Sequence, residues 1–190
     1  MDLHGASMAG IDFTGADLFQ ANLAGADLRN ANMTNAFASG ANLSGANLSG
    51  AKLSKAVLAK ANVSGANFRN ASLDGAALTN ANLKGADFSS AKMFVADLSN
   101  SDMTGCTITG VNLIGAVMFN TTLTRANLAN SDLSTAFAAG AILIRANLTG
   151  ATLAKTVLKN ANLTGANLTG VDTSTADLTG AILSDGTTHP

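Results

Sequence analysis

Two histidines, one cysteine and twelve aspartates are the side chains best suited to acid–base, nucleophilic or metal chemistry in this 190-residue chain. Glu, Tyr and Trp are absent. Catalysis needs polar groups that converge and tune one another's pKa values. His4 and His189 stand at opposite ends of the sequence. Cys106 takes a position otherwise held by alanine, which reads as a small core filler and not as a nucleophile. Ten of the twelve aspartates share one position in a five-residue period, where Asn is the usual occupant. Such side chains bond nearby backbone in turns and can stack in ladders. Neither the glycine-rich phosphate motifs nor a calcium-binding Gly-Gly-x-Gly-x-Asp repeat occurs. The Thr107/Thr109 and Thr122/Thr124 pairs would suit an ice-binding ladder, but a 20-residue frame puts them on different faces. The expectation is a non-enzyme with no catalytic, cofactor-binding or metal-binding residues.

The period that holds these residues spans 37 pentads, from Met1 to Asp185, without a slip. The first position is Ala in 28 of the 37, so the exceptions stand out: Met1, Ile11, Ser101, Cys106, Val111, Thr121, Ser131, Thr156 and Val171. The third is Leu, Phe, Met, Ile or Val everywhere except Ala38, Ala138 and Thr173. The fifth is Gly or Asn in 26 of 37, which suits a corner with positive φ. Lys55, Val95 and Arg145 also stand there, so a left-handed backbone is not expected at every corner.

A five-residue period fits neither an α-helix nor a long strand. It fits a short extended segment followed by a corner. The first and third side chains then point inward, and four corners close a coil of 20 residues. Coils stacked about 4.8 Å apart would make about nine turns and a rod roughly 45 Å long. Leu and Phe would fill the bore while Ala keeps its walls close. Phe68 and Phe88, 20 residues apart, should stack. Residues 1–185 are read as this solenoid and 186–190 as a short polar tail.

Pentads such as Ala-Asn-Leu-Ser-Gly (41–45, 46–50) and Ala-Asn-Leu-Thr-Gly (146–150, 161–165) resemble the A(D/N)LXX signature of pentapeptide-repeat proteins. The resemblance implies an all-β fold, the right-handed quadrilateral parallel β-helix. The closing segment looks like the ends of cyanobacterial members. Some members of that family protect DNA gyrase from quinolones by imitating duplex DNA. They are strongly acidic and carry a dimerising C-terminal element. This chain has 11 Lys and Arg against 12 Asp and a net charge of −1. That balance is neither the basic footprint of a nucleic-acid binder nor the strong negative field of a nucleic-acid mimic, so a DNA-mimic regulator of gyrase or topoisomerase, which the resemblance implies, is the alternative to a scaffold.

The single cysteine fits a reducing, cytoplasmic setting. Neither a signal peptide nor a membrane-spanning run is expected.

One face departs from the pattern. Each pentad's second position points outward, and on three faces it is polar except at Ile142 and Ile182. The fourth face reads Asp17, Phe37, Val57, Ala77, Asp97, Val117, Phe137, Val157, Asp177, with Phe19 and Phe119 in its fourth position. A continuous apolar stripe marks a contact surface. The expected role is a protein-interaction or structural scaffold, with a protein partner or a homo-oligomer engaged through that stripe. The spacing of the aspartates suits antiparallel self-pairing in which they avoid one another. Phe37 and Phe137 each precede a small central Ala, so their rings could instead fold over the corner into the core. Phe19/Phe119, Lys55/Lys155, Phe37/Phe137 and Val57/Val157 share a 100-residue offset, which reads as a five-coil internal duplication or as independent selection of both sets by one partner surface.

Overall fold

A computed structural model describes residues 1–190. The chain winds as a quadrilateral parallel β-helix in which second-position residues bridge their counterparts 20 residues on, from Asp2–Asn22 to Asn162–Ile182. Residues 1–20 form coil 1, residues 161–180 coil 9, and 181–185 open a tenth. Within each coil the first to fourth faces are consecutive pentads.

Each regular pentad spends its backbone polar groups the same way. The Leu3 N–H donates to the Asn22 carbonyl at 2.7 Å, that of Gly5 to Ala24 at 2.9 Å, and that of Asn22 back to Met1 at 2.9 Å. The Ala6 N–H closes the corner onto the Leu3 carbonyl at 3.1 Å. Inward Ala and Leu-type residues form one buried core. Phe68 and Phe88 stack within it, with ring centroids 4.8 Å apart and planes 8° from parallel.

The polar exceptions at first positions are satisfied. Ser101 and Thr121 hydroxyls donate to the Leu98 carbonyl at 2.7 and 2.8 Å, and Thr156 donates to Leu133 at 2.8 Å. The Ser131 hydroxyl donates to the Ile108 carbonyl and accepts the Val111 N–H, bridging a corner beside the bulky Val111. Buried hydroxyls are therefore tolerated because a wall carbonyl lies within reach.

The corners differ from expectation. Every fifth-position residue from Gly5 to Gly170 has positive φ, including Lys55 at 58°, Val95 at 49° and Arg145 at 56°. The repeated inter-coil bonding fixes one corner geometry, and residue type adapts to it. A β-branched residue in this region is strained. Val95→Asn is expected to raise stability by about 1 kcal/mol, since Asn enters the left-handed region at lower cost; urea denaturation reads this directly. At Gly115, one coil on, a Cβ would lie 3.1 Å from Val95 Cγ1, tighter than ordinary contact, so glycine there leaves the valine room.

The stacking opens only in the last coil. Asp172 has no bridge to Thr152, and the Lys155 N–H donates to the Thr175 hydroxyl at 3.1 Å in place of a backbone carbonyl. Thr173 stands where Leu should fill the bore, and Val171 where Ala should line the wall. A cleft of about 220 Å³ separates residues 150–154 from Asp172 and Thr175. Beyond it, residues 186–190 turn back. Thr188 bridges Ile182 antiparallel, and His189 exchanges backbone bonds with Gly180 and Ala181 at 3.0 and 2.8 Å. The tail thus covers the open edge of one corner of the solenoid.

Candidate interaction face

On most pentads the second-position carboxylate or amide accepts the N–H of the residue two further on. Asp17 accepts from Phe19 at 3.0 Å, Asp97 from Ser99 at 3.0 Å and Asn147 from Thr149 at 3.1 Å. The carboxyls of Asp12, Asp172, Asp177 and Asp185 sit below the usual aspartate range because the hydroxyl two residues on donates to each. On the first face, Asn22, Asn42, Asn62 and Asn82 form the expected amide ladder, each donating to the residue one coil earlier at 2.9–3.3 Å. The aspartates and asparagines therefore build corners. No group of three His, Cys, Asp or Glu side chains comes together as a metal site. Cys106 is buried, and desolvation pushes its thiol up to about 12.

Along the fourth face, Asp17, Phe37, Val57, Ala77, Asp97, Val117, Phe137, Val157 and Asp177 bridge one another in a single unbroken ladder. Phe19, Phe37, Phe119 and Phe137 are exposed by 60, 56, 41 and 45%. Both rings beside the small central alanines point outward, so they do not fill the bore; Ala38 and Ala138 are buried on their own. The rings of Phe119 and Phe137 adjoin, with centroids 6.4 Å apart. Val57, Ala77, Val117 and Val157 are half-buried between their ladder neighbours.

Six apolar side chains in this ladder cannot accept the turn N–H that Asp or Asn accepts elsewhere. Each forgoes a bond worth about 0.5–1.5 kcal/mol. Apolar cross-strand pairs return about 0.2–1 kcal/mol each. The two terms are of similar size and nearly cancel, so the column adds little to local structure.

Three features were not legible as part of this surface. A groove of about 400 Å³ runs beside Phe19, floored by Ser39, Gly40 and Ala59 and edged by Gln20 and Lys60. Lys159 lies on the same face and pairs with Asp177 at 3.2 Å. Phe94 and Val95, each 47% exposed, extend apolar surface to the corner that enters the fourth face. A valine at a corner position was the available signal for the last.

The rod, its four ladders and its corner chemistry define a four-walled solenoid. The pentapeptide-repeat model, "Pentapeptide repeats", matches in eight copies between residues 2 and 185. The chain belongs to that family, and its fold is the right-handed quadrilateral β-helix. It is 30% identical to HetL, a pentapeptide repeat protein involved in heterocyst differentiation regulation from the cyanobacterium Nostoc sp. strain PCC 7120. That match covers 100% of this chain and 92% of HetL at a TM-score of 0.71. QnrB1, a plasmid-mediated fluoroquinolone resistance protein, shares the fold at 20% identity. There the coverage is 97% of this chain and 92% of QnrB1, with a TM-score of 0.51. No match was found among curated proteins. No helix is long and apolar enough to cross a membrane.

Proposed function

We propose that this chain is a non-catalytic protein-contact module that acts through its fourth face in the cytoplasm. One observation carries the reading: six of nine second-position residues on that face are apolar, against Ile142 and Ile182 on the other three. Support also comes from the likeness to HetL, a protein named for a regulatory role. The unpaired buried thiol of Cys106 suits a reducing compartment. The fluoroquinolone-resistance role of QnrB1 is not carried over. At 20% identity the likeness is one of fold, and a net charge of −1 does not imitate a polyanion.

The test compares Phe37→Asp with Phe137→Asp against a control of equal charge on the second face, Asn47→Asp with Asn147→Asp. Molecular mass in solution and capture of partners from extract are measured for both. Loss of association in the first pair alone is the expected result. Equal behaviour of the two pairs in both measurements would overturn the fourth-face reading.

A further inference from the structure

Building on that reading, we infer that the occupant of the fourth face is a second copy of this chain, docked antiparallel with coil n against coil 9 − n. A twofold axis lying across the face reverses the rod direction and keeps each column opposite itself. Second positions then meet second positions, and fourth positions meet fourth positions. Only the register remains to be chosen, and the side chains choose it.

Centring the axis on coil 5 would set Asp97 against its own copy and Asp17 against Asp177, placing like charges together in a forming interface. Shifting by one coil in one direction buries Phe37 against Asp177 of the second copy. Shifting by one coil in the other direction removes the like-charge contacts. Phe37 of coil 2 meets Phe137 of coil 7 and Val57 meets Val117, while Asp97 faces only the small Ala77 and Asp17 faces Val157 at the end of the strip. Phe119 of the second copy comes down on Ala59, in the groove of about 400 Å³ that Ser39 and Gly40 keep open. Lys159 of the second copy, by leaving its own Asp177, can swing over the exposed Phe19 ring and reach Asp17, a cation placed against a ring face and a carboxylate.

Coils 2 and 7, which carry the matching Ala-Phe-Ala-x-Gly pentads, are the coils that the axis exchanges, so the two displayed rings pack on one another. Eight coils at about 4.8 Å make a strip about 38 Å long and one face wide. A strip of that size belongs with weak, transient interfaces, so the dimer is expected to dissociate at about 1–100 µM.

Thiol cross-linking reads the register. Cys106 does not compete, being buried with its thiol pushed up. Val57→Cys chains are mixed with Val117→Cys, Phe137→Cys or Val157→Cys chains and treated with a short bismaleimide. Facing walls hold opposed Cα atoms about 10 Å apart, too far for a direct disulfide but within reach of the reagent, and each coil of slip displaces them by a further distance of about 4.8 Å along the rod. The expected result is bridging that is greatest for 57–117 and falls through 57–137 to 57–157, with no bridge from any variant alone. A dominant 57–137 or 57–157 bridge, or a variant that bridges to itself, would overturn the register or the antiparallel sense. A parent chain that sediments as a monomer up to about 200 µM would overturn the second copy as occupant. The fourth-face reading would then stand or fall separately, on the extract comparison between the two aspartate pairs.

Discussion

Phe68→Ala is expected to destabilise the chain by about 3–5 kcal/mol, the cost of emptying a fully buried aromatic site. The ring has no exposed surface, and its stack on Phe88 is nearly parallel. The bore is narrow and its walls around coils 4 and 5 are pinned by inter-coil bonds at each pentad, so the cavity cannot collapse easily. Phe88→Ala should cost a similar amount. The double variant should cost less than the two together by about 0.5–1.5 kcal/mol, because the aromatic contact is lost only once. Phe68→Leu, which refills most of the space, should cost under about 1.5 kcal/mol. Urea denaturation of the four chains gives these numbers. A cost for Phe68→Ala below about 1 kcal/mol would mean that the coils close over the gap and that packing of the bore is not what limits stability. Because each coil touches only its neighbours, a weakened coil 4 also threatens cooperativity. Biphasic melting of the alanine variants, with the parent melting in one step, would show the rod dividing there.

The fold was legible because one spacing controls everything else. Ala at the first position and Leu at the third, repeated without a slip, leave a four-cornered coil as the arrangement that buries both. The Phe68–Phe88 stack and the asparagine ladder then follow from counting by twenty. The fourth-face ladder was legible for the same reason, and all eight of its candidate residues lie together on that face. Corners were read less well. Lys55, Val95 and Arg145 suggested that some turns avoid positive φ, yet the bonding between coils imposes the same turn on all three. Side-chain tolerance is a local property, and the corner geometry belongs to the stack. The rings of Phe37 and Phe137 were ambiguous because one sequence pattern serves display and core filling alike. Only their exposure separates the two. What covers the face could not be read from the ladder alone, since the groove at Ala59 and the placement of Lys159 depend on how neighbouring columns lie side by side.

Restoring the repeat where it fails should stabilise the chain, and the expected gain is large. In Val171→Ala with Thr173→Leu, the leucine would bury a full side chain in the bore, worth about 1.5–3 kcal/mol. Removing the valine relieves the wall that should lie close. With the pentad back in line, the Leu153 N–H can donate to the Asp172 carbonyl and the Asp172 N–H to Ala151, each bond adding about 0.5–1.5 kcal/mol net. Against this stands the ordering of residues 171–175, about 1–2 kcal/mol for each backbone position newly fixed. These residues already hold a folded path within coil 9, so only a part of that cost applies, and a net gain of about 2 kcal/mol is expected. The readout must be local, because a terminal coil can open without the rest. Hydrogen exchange at Leu153 and Asp172 should slow by about 30-fold, the factor equivalent to 2 kcal/mol, while exchange at coils 3 to 6 should not change. Thr173→Leu alone should deliver only part of the effect if Val171 holds the wall apart. Unchanged exchange at Leu153 in the double variant would show that the cleft beside Asp172 is set by something other than these two side chains. The fold-back of residues 186–190 onto Ile182 would then be the next cause to test, by Gly186→Val, which strains the φ of 87° on which the turn depends.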